Sequence, residues 1–233
     1  YCYLPHTPTD MNITTGRAIV DATFRSALAH GYRTVKLKYA GGEPLLRVPL
    51  VLALHRYAQT LAAQHNLDLD GIVLSNGTLL TSEIVDQIQA AGLRLMVSLD
   101  GVGAVHDSQR HFPDGHGSFE AVARAIDLAC VEGLKPDISI TVSGRTIDGL
   151  PETVAWVLER DLPFSLNFYR ENEYSASATD LRLEDARIIE GLLAAYRVIE
   201  HNLPRRSLLA SLADRANLSV PHKRTCSAGQ SYL

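Results

Sequence analysis

The sequence predicts an α/β protein built on a parallel sheet, because short β-branched runs alternate along the chain with helical patterns of apolar residues. Parallel strands need crossover helices, and strands that are apolar almost throughout are expected to be buried on both faces. A barrel and a doubly wound sheet both satisfy this pattern. With one further strand expected before Tyr1, six βα units follow one another without a break, which favours a partial (β/α)6 TIM-like barrel.

The strands and helices are assigned in chain order from this alternation. The predicted strands are residues 34–39, 71–75, 94–100, 137–143 and 164–169. The first helix is expected over residues 15–30, and further helices are expected after Leu46, Thr81, Ser118, Pro151 and Glu184. The pattern ends near His201, so residues 1–201 are expected to form the barrel and residues 202–233 a linker and the beginning of a second module.

The composition excludes several classes of protein. Twenty-two basic residues against 26 acidic ones give a net charge of -4 without a basic run, which argues against a nucleic-acid partner. Apolar runs are broken before the roughly 18 residues that a membrane span requires, so a cytoplasmic protein is expected. Three cysteines are too few for a disulfide scaffold. One of them, Cys130, lies in an apolar helical pattern and is expected to be a buried small hydrophobe.

Unusual residues follow the ends of the first two predicted strands, where α/β folds place their chemistry. In "GGEP", Gly41 and Gly42 let a backbone approach a ligand closely, and Glu43 can accept hydrogen bonds from a cation. The alternative is a plain strand-to-helix turn with a solvated Glu43. After the next strand, Asn76 and Gly77 are explained first by an Asn-Gly turn.

The loop after the third predicted strand is the most polar of these segments. The residues that crowd it are Ser98, Asp100, His106, Asp107 and Arg110. An arginine there offers a fork of donors suited to a carboxylate, although an ion pair between Asp107 and Arg110 at a helix start explains the loop equally well. His111 and His116 are interpreted as part of a polar loop rather than as zinc ligands, with Ser118 capping the next helix.

Taken in order, five segments resemble one family. They are "YCY", "GGEP", "SNGTLL", "VSLDG" followed by "HDSQR", and "GSFEAV". Their order and spacing are similar to those of the radical S-adenosylmethionine (SAM) enzymes, in the branch with a C-terminal SPASM domain that includes anaerobic sulfatase maturases and maturases of ribosomally made peptides. The resemblance covers residues 1–168. The fold that it implies, a partial barrel of six βα units, agrees with the count of units above.

The resemblance implies iron-sulfur cofactors. In the family a CxxxCxxC loop after the first strand binds a [4Fe-4S] cluster whose open iron is chelated by SAM. Tyr1 and Cys2 match the last two places of that loop, and the first two cysteines fall before Tyr1, so a preceding segment is expected. Near the other end, "TCSAGQSYL" resembles the opening of a SPASM module, in which Cys226 is the first ligand of an auxiliary [4Fe-4S] cluster and Gly229 belongs to its turn.

The resemblance also implies a set of SAM contacts. They are Gly41, Gly42 and Glu43 for the amino group, Ser98 and Arg110 for the carboxylate and ribose, Asn76 near the ribose, the Tyr1 main chain for the adenine, and Val142 and Leu166 for the apolar floor beneath the adenine.

The function that the resemblance implies is radical chemistry on a peptide or protein substrate. An electron from the reduced cluster cleaves SAM, and the 5′-deoxyadenosyl radical abstracts a hydrogen from a side chain, leading to oxidation, cross-linking or thioether formation. A reducing partner such as ferredoxin or flavodoxin is expected. The alternative is a degenerate barrel that binds a peptide or metabolite. A conventional barrel lyase is disfavoured because Lys36 and Lys38 lie in mid-strand.

Overall fold

A computed structural model describes residues 9–171 and 177–206. All five predicted strands are present. They are β1 (Thr34–Tyr39), β2 (Asp68–Ser75), β3 (Arg94–Ser98), β4 (Asp137–Val142) and β5 (Phe164–Phe168). β2 begins three residues earlier than predicted and β3 ends two residues earlier, at Ser98. Each strand pairs in parallel with the next, in the order β1-β2-β3-β4-β5.

Helices separate the strands as predicted. They are α1 (Ile13–Ala29), α2 (Val48–His65), α3 (Ser82–Ala90), α4 (Ala104–Asp107), α5 (Phe119–Val131), α6 (Leu150–Glu159) and α7 (Asp185–His201), with 3₁₀ turns at Pro44–Arg47, Ile147–Gly149 and Thr179–Leu181. The α1 helix begins earlier than expected because the Asn12 side chain accepts a hydrogen bond from the Thr15 N–H (2.8 Å). Thr81 caps α3 in the same way, through the Ile84 N–H.

This order of parallel strands and crossover helices is a curled half-barrel, which confirms the predicted partial barrel. The strand expected before Tyr1 lies outside the described residues. The α7 helix ends at His201, where the barrel was predicted to end. Most of the predicted second module, residues 207–233, also lies outside the described residues, so its nature stays a prediction.

The two faces of the sheet differ in chemistry. Burial alternates along β4, where Ile138, Ile140 and Val142 are completely buried while the residues between them are half-buried. The buried set packs with the helices in one core, which includes Val73 of β2 and Val97 of β3. The prediction that the strands are buried on both faces is wrong for β4, where apolar residues fill alternate positions, whereas the neighbouring Ile72 and Val73 of β2 are both buried.

The opposite face of the sheet is called the open face here. Its residues, fixed by the register of the strands, include Lys36, Asp70, Arg94, Met96, Ser98, Asp137, Ser139, Thr141, Ser165 and Asn167. Toward the amino ends of the strands, four of these side chains form a ladder of alternating charge. Arg94 joins Asp70 (2.9 Å) and Asp137 (2.7 Å), and Lys36 lies 3.5 Å from Asp70. The charges at this end of the sheet are thereby satisfied within the protein.

Two further predictions concern single features of the fold. Within the described part of the chain, no helix is long and apolar enough to cross a membrane. Cys130 lies on α5, where it is half-buried and packs against the core, and burial raises the pKa of its thiol. Cys130 is therefore a packing residue, as predicted, although it is less buried than expected.

Candidate functional site

The predicted site lies at one edge of the sheet. All five strands are parallel, so the segments that follow Tyr39, Ser75, Ser98, Val142 and Phe168 lie along the same edge, called the carboxyl edge here. It brings together the glycine pair after β1, the Asn-Gly turn after β2 and the polar loop after β3.

The glycine pair leaves open space at this edge. Gly41 has φ of 136°, a conformation that side chains rarely permit. A Cβ atom built on Gly41 or Gly42 would meet no heavy atom of the described residues within 4 Å. The backbone of the loop is therefore accessible to a ligand, as the pattern "GGEP" predicts.

Glu43 connects two strands. Its Oε1 atom accepts hydrogen bonds from the Leu45 N–H (3.0 Å) and the Ser75 hydroxyl (2.8 Å), and its Oε2 atom accepts one from the Asn76 N–H (2.8 Å). The carboxylate therefore starts the 3₁₀ turn after β1 and holds that turn against the end of β2. The alternative interpretation of a solvated Glu43 is wrong. A contact between this carboxylate and the SAM amino group stays a prediction.

Asn76 forms the turn that its sequence indicates. The carboxamide oxygen accepts hydrogen bonds from the Thr78 N–H (2.9 Å) and the Thr78 hydroxyl (2.8 Å), and Gly77 has φ of 81°. Ser98, the last residue of β3, is half-buried on the open face, opposite Ser139 of β4 in register. The predicted contacts of Asn76 with the ribose of SAM, and of Ser98 with its carboxylate and ribose, stay predictions.

A closed ring of hydrogen bonds organises the loop after β3. The Asp100 N–H donates to Nδ1 of His106 (3.2 Å), and Nε2 of His106 contacts the Ser118 hydroxyl (3.0 Å). That hydroxyl donates to the carbonyl of Arg110 (3.0 Å). The Arg110 Nε–H then donates to Oδ2 of Asp100 (2.6 Å), which closes the ring. Because Nδ1 of His106 accepts a backbone N–H, the ring proton belongs on Nε2.

Burial shifts the pKa of every titratable group in this ring. It lowers the pKa of the completely buried His106 imidazole to about 4, which keeps the ring neutral. It lowers the pKa of Arg110 to about 10, so the guanidinium stays charged at neutral pH. Burial raises the pKa of Asp100 to about 7, although hydrogen bonds from Thr141 and Gln109 act in the opposite direction. All the described partners of the Asp100 side chain donate, so the geometry fits the ionised carboxylate.

Two expectations about this loop are wrong. Arg110 pairs with Asp100, and not with Asp107 as the alternative interpretation had it. Asp107 instead accepts the Phe119 N–H (2.8 Å) at the start of α5, which was the role expected for Ser118. A Cβ atom at Gly117 would lie 2.1 Å from Oδ2 of Asp107, so the glycine makes room for this cap.

The remaining predicted contacts divide into two groups. Val142 is completely buried in the helix-side core, and Leu166, opposite Ile140 in register, points to the same side. The open-face neighbours of these residues are Thr141 and Asn167. An adenine on the open face would therefore meet the main chain of Val142 or Leu166 rather than their side chains. Tyr1, Cys2 and Cys226 lie outside the described residues.

Sequence reasoning assigned no role to two residues that complete the buried network. The Gln109 amide donates to Oδ2 of Asp100 (2.8 Å), and its carbonyl oxygen accepts the Ser143 hydroxyl. Both side chains are buried, Ser143 completely. The position of Ser143 directly after β4 was a signal for a residue at the carboxyl edge. Gln109 carried no comparable signal, since its partner Ser143 follows a different strand and approaches only in the folded chain.

These residues fit a ligand such as SAM, which carries an ammonium and a carboxylate on one carbon. The loop of Gly41 and Gly42 offers accessible backbone for the ammonium, and Arg110 offers a cation for the carboxylate. Among residues 9–171 and 177–206, no group of three or more His, Cys, Asp or Glu could hold a metal ion. The predicted ligands of both clusters lie outside those ranges.

Replacing Glu43 by Gln is expected to destabilise the fold even without a ligand. The amide would turn an N–H group toward a backbone N–H that now donates to the carboxylate, at a cost of about 1–3 kcal/mol. Urea unfolding of the two proteins measures this difference. The control is Glu83→Gln on the exposed surface of α3, for which we expect a change within about 0.5 kcal/mol. Equal stability of Glu43→Gln and wild type would show that the Glu43 carboxylate does not hold the turn after β1 against the end of β2.

The neutral state of His106 predicts a pH dependence of stability. Its pKa is about 4 in the folded protein against an ordinary value of 6.5, so the unfolded chain binds a proton in that range that the folded protein does not. Stability therefore falls as the pH decreases through this window. Between pH 7 and 5 the stability difference between wild type and His106→Phe is expected to shrink by about 2 kcal/mol.

Urea unfolding at the two pH values measures that change. The control is His111→Phe, at an exposed position in the same segment, whose stability difference from wild type should stay constant. A His106→Phe difference that does not depend on pH would show that the His106 ring is not held neutral.

Comparison with known proteins identifies the family of this chain. The model of the radical SAM superfamily matches residues 1–157. An AdoMet-dependent heme synthase from Methanosarcina barkeri is 38% identical over 116 residues, covering 49% of this chain and 30% of that protein. A serine-type anaerobic sulfatase-maturating enzyme from Klebsiella aerogenes is 30% identical over 135 residues, covering 55% and 32%. The chain thus spans about a third of the length of these relatives.

Solved structures show the same fold. The enzyme anSMEcpe with bound AdoMet and the Kp18Cys peptide has a TM-score of 0.66 at 18% identity, over 86% of this chain and 56% of that one. SuiB from Streptococcus suis, bound to its precursor peptide SuiA, has a TM-score of 0.59 at 16% identity, over 87% and 44%. The family match, which covers more than half of the residues, shows that this chain belongs to the radical SAM superfamily, whose enzymes use a [4Fe-4S] cluster and SAM.

Proposed function

We propose that this chain is the barrel of an enzyme that reductively cleaves SAM and modifies a side chain of a peptide or protein. The observation that supports this most directly is the carboxyl edge, along which lie both an accessible glycine backbone and a half-buried, hydrogen-bonded guanidinium. These groups complement the ammonium and carboxylate of one amino-acid ligand.

The SAM site of this proposal keeps the predicted contacts, with roles that the geometry supports. The backbone of Gly41 and Gly42 receives the amino group, next to a loop that Glu43 fixes. Arg110 binds the carboxylate, and Ser98 and Asn76 contact the ribose. The Tyr1 main chain and the backbone near Val142 and Leu166 contact the adenine.

The proposed cofactors are held by cysteines at both ends of the chain. Cys2 and two preceding cysteines bind the [4Fe-4S] cluster, and Cys226 is the first ligand of an auxiliary [4Fe-4S] cluster in a SPASM module. When bound, the reduced cluster and SAM together supply a 5′-deoxyadenosyl radical. The residues of the barrel bind SAM, orient it and limit its access to water. The electron comes from a reducing partner such as ferredoxin or flavodoxin in the cytoplasm.

A peptide or protein substrate is supported by the relatives and the structural neighbours. One relative is named for maturation of a sulfatase, and two neighbours were solved with peptides, the Kp18Cys peptide and the precursor peptide SuiA. Ser139, Thr141 and Asn167 line the open face beside the proposed SAM site. The Asn167 amide donates to the Ser139 hydroxyl (2.9 Å), so this polar wall is ordered.

A second candidate substrate is a tetrapyrrole. Two relatives named AdoMet-dependent heme synthase are 38% and 36% identical to this chain, more than the 30% of the sulfatase-maturating enzyme. The identity covers about half of the chain, whereas the two peptide-bound neighbours cover 86% and 87% of it. A peptide is therefore the first choice of substrate, and a heme precursor is the second to be tested with it.

Cleavage of SAM is the first test of the proposed function. The full-length protein, reconstituted anaerobically with iron and sulfide and reduced with dithionite, is expected to release 5′-deoxyadenosine, measured by liquid chromatography and mass spectrometry. Cys2→Ala should abolish this activity, and Cys130→Ala, a packing position on α5, should retain it. Undiminished cleavage by Cys2→Ala would contradict the cluster assignment. Binding of SAM without cleavage by the wild type would favour the non-catalytic alternative.

A further inference from the structure

The strongest unassigned feature at the carboxyl edge is the buried carboxylate of Asp100. Its side chain is completely buried, and both oxygens accept hydrogen bonds. Oδ1 accepts the Thr141 N–H of β4 (2.7 Å). Oδ2 accepts the Gln109 amide (2.8 Å) and the Arg110 Nε–H (2.6 Å). A buried carboxylate without such donors would destabilise the fold, so the fold must supply these hydrogen bonds to Asp100.

Hydrogen bonds of both the side chain and the main chain fix the position of Arg110. Its Nε–H donates to Asp100, its N–H donates to the His106 carbonyl (2.8 Å), and its own carbonyl accepts the Ser118 hydroxyl (3.0 Å). Its side chain keeps 23% of its surface accessible, so one part of it faces outward. A hydrogen bond through Nε restricts the rotation of the planar guanidinium, and thereby the directions of its terminal nitrogens.

Ordering the Arg110 side chain before a ligand binds should increase the affinity for that ligand. An arginine side chain that is free in solution loses rotamer freedom when it binds a ligand, and this loss weakens binding. A side chain already ordered by a buried carboxylate avoids most of that loss. The same carboxylate also balances the positive charge, and burial lowers the pKa of Arg110 only to about 10, so the guanidinium stays ionised at neutral pH.

We infer that Asp100 is a positioning residue for SAM, which orients the Arg110 guanidinium toward the SAM carboxylate through the Nε–H bond and fixes the end of β3 against Thr141 of β4. The inference rests on the proposed function, because SAM is the ligand that Arg110 is proposed to bind. Asp100 itself does not contact SAM in this arrangement.

Asp100→Asn is the variant that tests the inference. The amide keeps the shape of the side chain and can still accept from the Thr141 N–H, but its NH₂ group faces the Nε–H of Arg110, which can only donate. SAM affinity, measured by calorimetry under anaerobic conditions, is expected to fall at least tenfold. In an Arg110→Ala background, the same substitution should change the affinity less than twofold, because the residue through which Asp100 acts is gone.

Asp107→Asn is the matched control. Asp107 lies in the same segment and caps α5, and Arg110 pairs with a different carboxylate, so a less than threefold effect on SAM affinity is expected. A tenfold loss in Asp100→Asn that persists in the Arg110→Ala background would assign Asp100 a general structural role and overturn the inference. Equal SAM affinity of Asp100→Asn and wild type would overturn it as well.

A measurement without SAM separates this inference from the proposed function. In ¹⁵N-labelled protein, the Arg110 Nε–H signal, assigned with Arg110→Lys, is expected to exchange slowly with water in the wild type and rapidly in Asp100→Asn. Rapid exchange in the wild type would overturn the inference even if the variant fails to fold. Failure of the wild type to bind SAM, with a slowly exchanging signal, would instead contradict the proposed function and leave the orientation of Arg110 established.

Discussion

The buried Asp100 carboxylate is the group on which the carboxyl edge depends. A charge removed from water must be surrounded by donors, and the described donors come from β4 and from the loop that follows β3. The donors are Thr141, Gln109 and Arg110, which therefore lie close together around the Asp100 carboxylate. His106 and Ser118 then close the ring around the same loop. The polar loop thereby becomes a rigid platform, although it contains only one short helix.

Glu43 has a similar role at the other end of the carboxyl edge, where its carboxylate also accepts hydrogen bonds from two segments of the chain. It joins the loop after β1 to the end of β2, as Asp100 joins β3 to β4. Two acidic residues thus fix the loops that are proposed to hold the ammonium and the carboxylate of SAM. At the amino ends of the strands, the ladder from Lys36 to Asp137 is more exposed and its charges neutralise one another, which leaves the carboxyl edge as the polar site.

The strands could be predicted because β-branched runs between polar turns are a local signal. The alternation in "DISITV" also indicates that Val142 points to the helices, but the prediction treats the strands as apolar almost throughout. The partners of Asp107, Ser118 and Arg110 could not be predicted. Several polar residues in one loop can exchange partners, and the choice depends on Thr141 and Gln109, which approach only in the folded chain.

The measurement that tests the account most directly is hydrogen exchange of the full-length protein with and without SAM, followed by mass spectrometry. We predict slower exchange at residues 40–43 and 98–110, the two loops proposed to hold the amino-acid part of SAM. Exchange at residues 34–36 and 68–70, near the amino ends of the strands, should not change. Saturating SAM that leaves residues 98–110 unprotected, or protects the amino ends instead, would contradict a SAM site at the carboxyl edge.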